Sequence, residues 1–207
     1  KVSFDGIYTG YLSGVSQVEW VEQFMQEFAN PQTKIFVDPV LGDEGVYYRG
    51  FGDEMCQAMK KLCGKADVIT PNLTEVLFLL GKKADLKAES QNLEQIRNYA
   101  KQLSQLGPKT VIITGVSQGE KIWNIGYSAK EDSFFEVSTH KTGEGYSGTG
   151  DILTSVICGC MIKGESPQKA LKKAAAFLQA SIEEAVEDKT DPNEGVAFEH
   201  HLSLLFD

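Results

Sequence analysis

The sequence predicts an α/β fold: a mostly parallel central sheet flanked by helices on both faces, with an antiparallel hairpin at its edge. Three short apolar segments, at 34–38, 67–70 and 110–114, are each followed by proline or glycine and are expected to be buried strands. Segments with helical periodicity alternate with them, at 15–29, 53–63, 72–80 and 92–106. Such alternation favours right-handed crossovers and therefore a parallel sheet.

Polar side chains stand where these strands end. Asp38, Thr70 and Thr114 close the three apolar segments. Because ligands of open parallel sheets bind outside the carboxyl ends of the strands, we expect a ligand site near these residues.

The second half of the chain has a different pattern. Candidate strands at 121–128 and 134–141 predict the edge hairpin. A glycine-rich loop at 142–150 follows, and the apolar run 151–162 predicts a central, buried helix. The remaining segments are expected to be helices at 167–186 and 195–205 and an opening strand at 1–6.

Composition narrows the class of protein. Of the 207 residues, 42% are apolar and 24% are charged. A chain of this length and apolar content can bury a core, which argues against disorder. No stretch approaches the roughly 20 apolar residues of a membrane span. The net charge of −9 opposes binding to nucleic acid or to an anionic membrane surface. We expect one cytoplasmic domain over 1–207 that binds neither.

The four cysteines form two close pairs without a zinc spacing. Cys56 and Cys63 lie on one predicted helix, and Cys158 and Cys160 lie on another. Positions two apart on a helix point in divergent directions, so the second pair cannot easily form a disulfide. We expect buried, reduced thiols.

The segment 148–151 (GTGD) carries the most chemical information. Gly148 and Gly150 let several backbone N–H groups point at one anion at a helix start, where the helix dipole adds attraction. Asp151 would stand beside that anion and take a proton from a hydroxyl that attacks a phosphoryl group. The alternative is a plain loop with an acidic residue in the first helical turn.

Four ordered motifs carry a family resemblance. The run 146–155 (YSGTGDILTS) resembles the anion-hole and catalytic-base motif of the ribokinase-like superfamily, and Thr149 stands where its sugar kinases usually carry alanine. The runs 4–11 (FDGIYTGY), 38–43 (DPVLGD) and 70–75 (TPNLTE) follow the same order and spacing. Together they resemble the pyridoxal kinase family over essentially the whole chain.

The resemblance implies a role for each matching residue. Asp151 would be the base, and the anion hole would be Gly148, Thr149 and Gly150. The residues along ATP would be Asp38, Asn72, Glu75, Thr114, Gly115 and Thr149. Metal ions or their waters would be held by Asp43, Thr70 and Glu75, and Tyr11 would contact the substrate ring with Asp151 near its hydroxyl. ATP and Mg²⁺ are the implied cofactors, and a monovalent cation is left open.

Several of these residues also have structural explanations. Asn72 and Glu75 match a capping box at a helix start. Asp38 could end a strand because proline follows it. Thr114 fits a β-strand, Tyr11 fits aromatic packing, and Asp43 fits a turn.

The implied reaction is phosphorylation of pyridoxal, pyridoxine or pyridoxamine by direct in-line transfer, in the salvage of vitamin B6. One alternative is a hydroxymethylpyrimidine kinase of thiamine synthesis, although some of those enzymes carry cysteine where Asp151 stands. A second alternative is a non-catalytic nucleotide-binding module, because the family's N-terminal segment is expected to be missing here. The resemblance also implies a homodimer.

Overall fold

A computed structural model describes residues 3–83, 86–90, 92–143 and 145–206. By their contacts they form two compact units, Lys1–Val116 with Ile125–Phe135, and Ser117–Asn124 with Glu136–Asp207. The expectation of a single domain over 1–207 stays a prediction. None of the helices in the described ranges combines the length and apolar character that a membrane span requires.

The strands of the main sheet follow the order β1-β2-β5-β6-β7-β8. They span Gly6–Thr9 (β1), Lys34–Val37 (β2), Val68–Ile69 (β5), Thr110–Gln118 (β6), Lys121–Ser128 (β7) and Ser133–His140 (β8). The β1–β2, β2–β5 and β5–β6 pairs are parallel. Connections as short as those on either side of β7 can join only antiparallel neighbours, so β8 closes an antiparallel hairpin at the sheet edge. The predicted fold class is confirmed.

Helices flank the sheet. They are α1 (Val15–Phe28), α2 (Asp53–Cys63), α3 (Leu73–Leu79), α4 (Leu86–Ser90), α5 (Leu93–Ser104), α6 (Thr149–Ile162) and α7 (Pro167–Glu187). In the first unit, Phe36, Ile69 and Ile112 from neighbouring strands and Met59, Leu62 and Leu103 from α2 and α5 are all fully buried. All four cysteines are buried reduced thiols, as predicted.

Besides β6, which extends beyond the predicted segment 110–114, four sequence predictions need correction. The opening strand begins at Gly6 rather than at the chain start, and residues 1 and 2 of the predicted strand lie outside the described residues. Residues 195–205 form a 3₁₀ helix only over Phe198–Leu205, after a short one at Pro192–Glu194. Helix α6 begins at Thr149, so the last two residues of the predicted loop are helical. Residue 144 of that loop lies outside the described residues.

The fourth correction concerns the burial of α6. Leu153, Ile157 and Met161 are buried, but Asp151, Ser155 and Gly159 are exposed along one side. These three positions are four residues apart and therefore share a face of the helix. That face carries an acid, a hydroxyl and a glycine, and the apolar appearance of the run concealed it.

A small hairpin was not predicted. Strands β3 (Gly42–Asp43) and β4 (Val46–Tyr47) pair antiparallel in a separate two-stranded sheet. Glu44 and Gly45, which join them, both adopt positive φ, at 50° and 82°. This hairpin follows β2 directly and brings the 38–43 motif back toward α3, as the next subsection describes.

Candidate active site

In the first unit, the ends of adjacent parallel strands bring three predicted residues together. Asp38 and Thr70 each stand one residue beyond their strands, β2 and β5, and both are buried. The amide of Asp38 donates to Thr9 O and that of Thr70 to Val37 O, which fixes the two strand ends in register. Thr114 lies inside β6, which is longer than predicted, and its amide donates to Pro71 O at 3.0 Å.

The start of α3 is held by a reciprocal capping box. The amide of Glu75 donates to Asn72 Oδ1 at 2.9 Å, and the amide of Asn72 donates to Glu75 Oε2 at 2.8 Å. This satisfies two donors that a helix start leaves without intrahelical partners. The capping-box reading of the sequence is confirmed.

The same two side chains tie α3 to the hairpin. The other carboxylate oxygen of Glu75 accepts from the amide of Leu41 at 3.0 Å, and Asn72 Nδ2 donates to Gly42 O at 2.9 Å. Thr74 adds a third tie, because its Oγ1 accepts from the amide of Gly45 at 3.0 Å. The loop that carries the aspartates of the 38–43 motif is therefore anchored to α3 at three points.

Thr74 and Tyr48 belong to this region and were missed by the sequence analysis. Thr74 lies inside the 70–75 motif, but nothing in the motif distinguishes it from an ordinary helical threonine. Tyr48 follows β4 and is partly exposed. Partial burial, and then the negative charges of Asp43, Glu75 and Asp38, raise the pKa of the Tyr48 phenol. The electrostatic influence of three acids that are distant in sequence leaves no periodic signal.

The electrostatics of the strand ends are dominated by Glu75. Its side chain is only 3% exposed, and burial together with the nearby Asp38 carboxylate raises its pKa to about 8, although three backbone N–H groups act in the opposite direction. Burial disfavours the charged carboxylate, and the negative charge of a second buried acid nearby adds to that effect. A cation placed beside the two acids would relieve that repulsion.

The donor set fits Mg²⁺ only as a partner of phosphates and water. Within the described ranges, no group of three or more His, Cys, Asp or Glu side chains could hold a metal ion by itself. Asp43 is exposed, and its Oδ1 accepts from the amide of Glu44 at 2.8 Å. Mg²⁺ commonly keeps several waters and binds one or two carboxylates together with substrate phosphates. The acids at the strand ends can supply the carboxylates.

Gly115 and Tyr11 complete the predicted residues of the first unit. Gly115 lies within β6 and has a φ of 68°, a conformation that side-chain-bearing residues rarely adopt, and it is exposed. Tyr11 follows β1 and is 59% exposed. An aromatic ring this exposed contributes little to the core and is available to a ligand.

In the second unit, the predicted anion site opens α6. Gly148 is the N-cap residue, in the left-handed region at φ 79° and ψ −2°, and its carbonyl accepts from the amide of Ile152 at 3.0 Å. Among the described residues, no side chain caps this helix, whereas Asn72, Asn92 and Ser166 cap α3, α5 and α7. The first amides of α6 are thus not covered by a capping side chain.

The side chains of Thr149 and Asp151, in the first turn of α6, have different environments. Thr149 Oγ1 donates to Tyr146 O at 2.9 Å, so its hydroxyl braces the preceding turn and its amide is the group that an anion could use. Asp151 occupies the first turn and is exposed. Gly148, Thr149, Gly150 and Asp151 therefore share one helical turn, as the motif requires.

The turn before α6 is anchored in the second unit. Tyr146 is buried in a cluster with Ala185 of α7 and Val196. The amide of Ser147 donates to Pro192 O at 2.9 Å. These contacts fix the backbone leading into the Gly148 turn, so the orientation of the following amides is set before any ligand binds.

Comparisons with known proteins identify the family of the chain. The phosphomethylpyrimidine kinase family matches residues 1–195. Pyridoxal kinase from Arabidopsis thaliana is 30% identical over 190 residues, which are 88% of this chain and 59% of the relative. The chain thus spans about three fifths of that protein's length.

Solved structures extend the likeness. A Bacteroides thetaiotaomicron protein designated a phosphomethylpyrimidine kinase superposes with a TM-score of 0.94 at 37% identity, over 100% of this chain and 71% of that one. A second crystal form of it, with pyridoxal, gives a TM-score of 0.90 at 39% identity, over 99% and 71%. Staphylococcus aureus pyridoxal kinase in complex with AMP-PCP and pyridoxal gives 0.70 at 25% identity, over 86% and 62%. The chain belongs to the phosphomethylpyrimidine kinase family, within the ribokinase-like superfamily that its four motifs resemble.

Proposed function

We propose that this protein transfers the γ-phosphoryl group of ATP to the hydroxymethyl group of pyridoxal, pyridoxine or pyridoxamine. The observation that carries the proposal is the first turn of α6, where Asp151 follows Gly148 in its left-handed conformation. A carboxylate placed beside helix-start amides provides both a base and an anion site in one turn. Family membership supports a kinase with these parts in these roles.

Asp151 would act on the acceptor alcohol. Its carboxylate takes the proton as the hydroxyl oxygen attacks the γ-phosphorus, and ADP leaves on the opposite side. The amides of residues 148–150 would donate to the oxygens of the migrating group, whose charge the α6 dipole also stabilises. No covalent enzyme intermediate is required, because such transfers depend on positioning and electrostatics.

The strand-end residues of the first unit would bind the phosphates of ATP. Asp38 and Glu75 would supply carboxyl oxygens near the phosphates, and bound Mg²⁺ would neutralise phosphate charge during transfer. Both carboxylate oxygens of Glu75 already accept backbone hydrogen bonds, so we assign its contact with a cation to an intervening water. Asn72, Thr70 and Asp43 would complete the polar surroundings, with Thr114 and Gly115 along the nucleotide.

Substrate choice within the family separates two candidates. The Bacteroides relative bears the pyrimidine-kinase designation yet crystallised with pyridoxal, and the Arabidopsis and Staphylococcus relatives are pyridoxal kinases. We therefore favour a vitamin B6 alcohol as substrate. The family description favours hydroxymethylpyrimidine as the second candidate.

The direct test follows ADP release from ATP and Mg²⁺ with pyridoxal, pyridoxine, pyridoxamine and hydroxymethylpyrimidine in turn. The proposal predicts the highest kcat/KM for a B6 alcohol and product phosphorylated at the hydroxymethyl oxygen. A higher value for hydroxymethylpyrimidine would move the protein to the thiamine pathway. ATP binding by calorimetry without ADP release for any alcohol would favour a non-catalytic nucleotide-binding module.

Three accompanying expectations stay predictions. They are a cytoplasmic location, a homodimer, and the absence of nucleic-acid or membrane partners.

A further inference from the structure

Two aromatic rings stack within the first unit. Tyr11 follows β1, and Phe51 lies in the connection between β4 and α2. Their ring centroids are 5.6 Å apart with an interplanar angle of 21°, which is a stacked arrangement. Phe51 is half-buried, whereas Tyr11 remains 59% exposed. A ring in a stack has two faces, and Phe51 occupies only one face of Tyr11.

The backbone holds Phe51 in place against Tyr11. Its amide donates to Tyr48 O at 3.0 Å, and the amide of Tyr48 donates to Leu41 O at 3.0 Å. Gly50, with φ of 89°, makes the turn that this bond closes. The amide of Leu41 in turn donates to Glu75, so a series of hydrogen bonds joins the backbone of Phe51 to the start of α3.

We propose that Phe51 is a positioning residue that sets the angle of the Tyr11 ring for a flat heteroaromatic substrate. This inference rests on the proposed function and deepens it, because it assigns one determinant of the substrate ring. Phe51 backs one face of Tyr11, and the pyridine ring of the substrate stacks on the other. Without the backing ring, Tyr11 could rotate about its side-chain bonds, and the substrate would have to order it on binding.

The exposure of Tyr11 distinguishes the Tyr11–Phe51 stack from ordinary core packing. A stacked pair that served only the core would be buried, but Tyr11 exposes most of its surface. The pair Tyr47–Phe78 shows the contrast, since it stacks at 3.9 Å with both side chains half-buried. Loss of the Phe51 ring should therefore weaken binding of the substrate's pyridine ring more than it destabilises the fold.

The test uses the full-length protein with Phe51→Leu, Phe51→Ala and Phe51→Tyr. Phe51→Leu keeps apolar volume without an aromatic face, and Phe51→Tyr keeps the face. We expect Phe51→Leu and Phe51→Ala to raise the KM for pyridoxal about 3- to 10-fold, the range of one aromatic stack, with kcat and the KM for ATP within about twofold. Phe51→Tyr should restore the wild-type KM.

Val46→Ala is the matched control, because Val46 lies in β4, just before the connection that carries Phe51, and is 65% exposed. Its kinetic constants should equal those of the wild type. An unchanged KM for pyridoxal in Phe51→Leu, or an equal rise in the KM for ATP, would overturn the inference.

Calorimetry with pyridoxine separates this inference from the proposed function. Binding that Phe51→Leu weakens, in a protein that shows no turnover, would retain the role of Phe51 and reject the kinase. Turnover that is indifferent to Phe51→Leu would retain the kinase and reject the role of Phe51.

Discussion

The carboxylate of Glu75 accepts a hydrogen bond from the amide of Leu41, which lies 34 residues earlier in the chain. The same carboxylate closes the capping box of α3. One buried side chain thus fixes both the helix start and the loop after β2. Stability and site geometry are coupled at this residue.

Glu75→Ala should therefore destabilise the protein more than the loss of an ordinary cap. It removes one half of the capping box and leaves the amides of Asn72 and Leu41 without acceptors, which together should lower the free energy of unfolding by about 2 to 4 kcal/mol. Urea unfolding monitored by circular dichroism measures this. Asn92→Ala is the control, since Asn92 caps α5 at an exposed site and its loss should cost about 1 kcal/mol. Equal losses in the two variants would show that the tie to Leu41 contributes nothing.

Substitution by alanine should have opposite effects on stability at two glycines. A Cβ at Gly126 in β7 would overlap the ring of buried Phe135, whereas a Cβ at Gly159 in α6 meets nothing within 4 Å. We expect Gly126→Ala to lower the free energy of unfolding by about 1 to 3 kcal/mol through overpacking. Gly159→Ala should raise it by about 0.5 to 1 kcal/mol, because alanine favours the helix. Thermal unfolding of both variants checks the signs, and a stabilised Gly126→Ala would contradict the packing of β7 on β8.

An ion pair should make the 3₁₀ helix Phe198–Leu205 sensitive to pH. His200 Nδ1 lies 2.6 Å from Glu184 Oε1 of α7, and that hydrogen bond raises the pKa of His200 and lowers the pKa of Glu184. The histidine contribution is fully present below its ordinary pKa of about 6.5 and is lost as pH rises through the raised value. The carboxylate contribution is present above about 4.3 and is lost as pH falls through its lowered value.

Docking of this 3₁₀ helix on α7 should therefore be tightest between about pH 4.5 and 6.5. Hydrogen-exchange protection factors of residues 198–205 across pH 4 to 9 measure this, after correction for intrinsic exchange. Glu184→Gln should flatten the profile. A wild-type profile that is already flat would argue against the pair.

The sequence predicts those elements whose local pattern and tertiary packing agree. The bounds of α2 and β7 match the structure because each has clear boundary residues and one consistent periodicity. The hairpin β3–β4 was missed because its strands have two residues each, and its position depends on Asn72 and Thr74, some 30 residues away. No local pattern can encode such ties.

For the candidate site too, the sequence predicts some features and not others. The motif residues could be found because each carries distinctive chemistry at the end of a strand or the start of a helix. What sequence could not show is how those groups are used. Glu75 holds backbone amides, Thr149 braces Tyr146 O, and Phe51 stacks on Tyr11. Each of these depends on which atoms the fold brings into contact.

The most direct measurement of the central claim is the turnover of Asp151→Asn with saturating ATP, Mg²⁺ and pyridoxal, together with its nucleotide Kd by calorimetry. The amide keeps the size of the side chain but cannot accept the substrate proton. We expect kcat to fall by roughly 10² to 10⁴ while the Kd for ATP changes little. Glu187→Gln, at an exposed acid of α7, is the control and should leave both constants unchanged. Wild-type turnover in Asp151→Asn would contradict the assignment of Asp151 as the base.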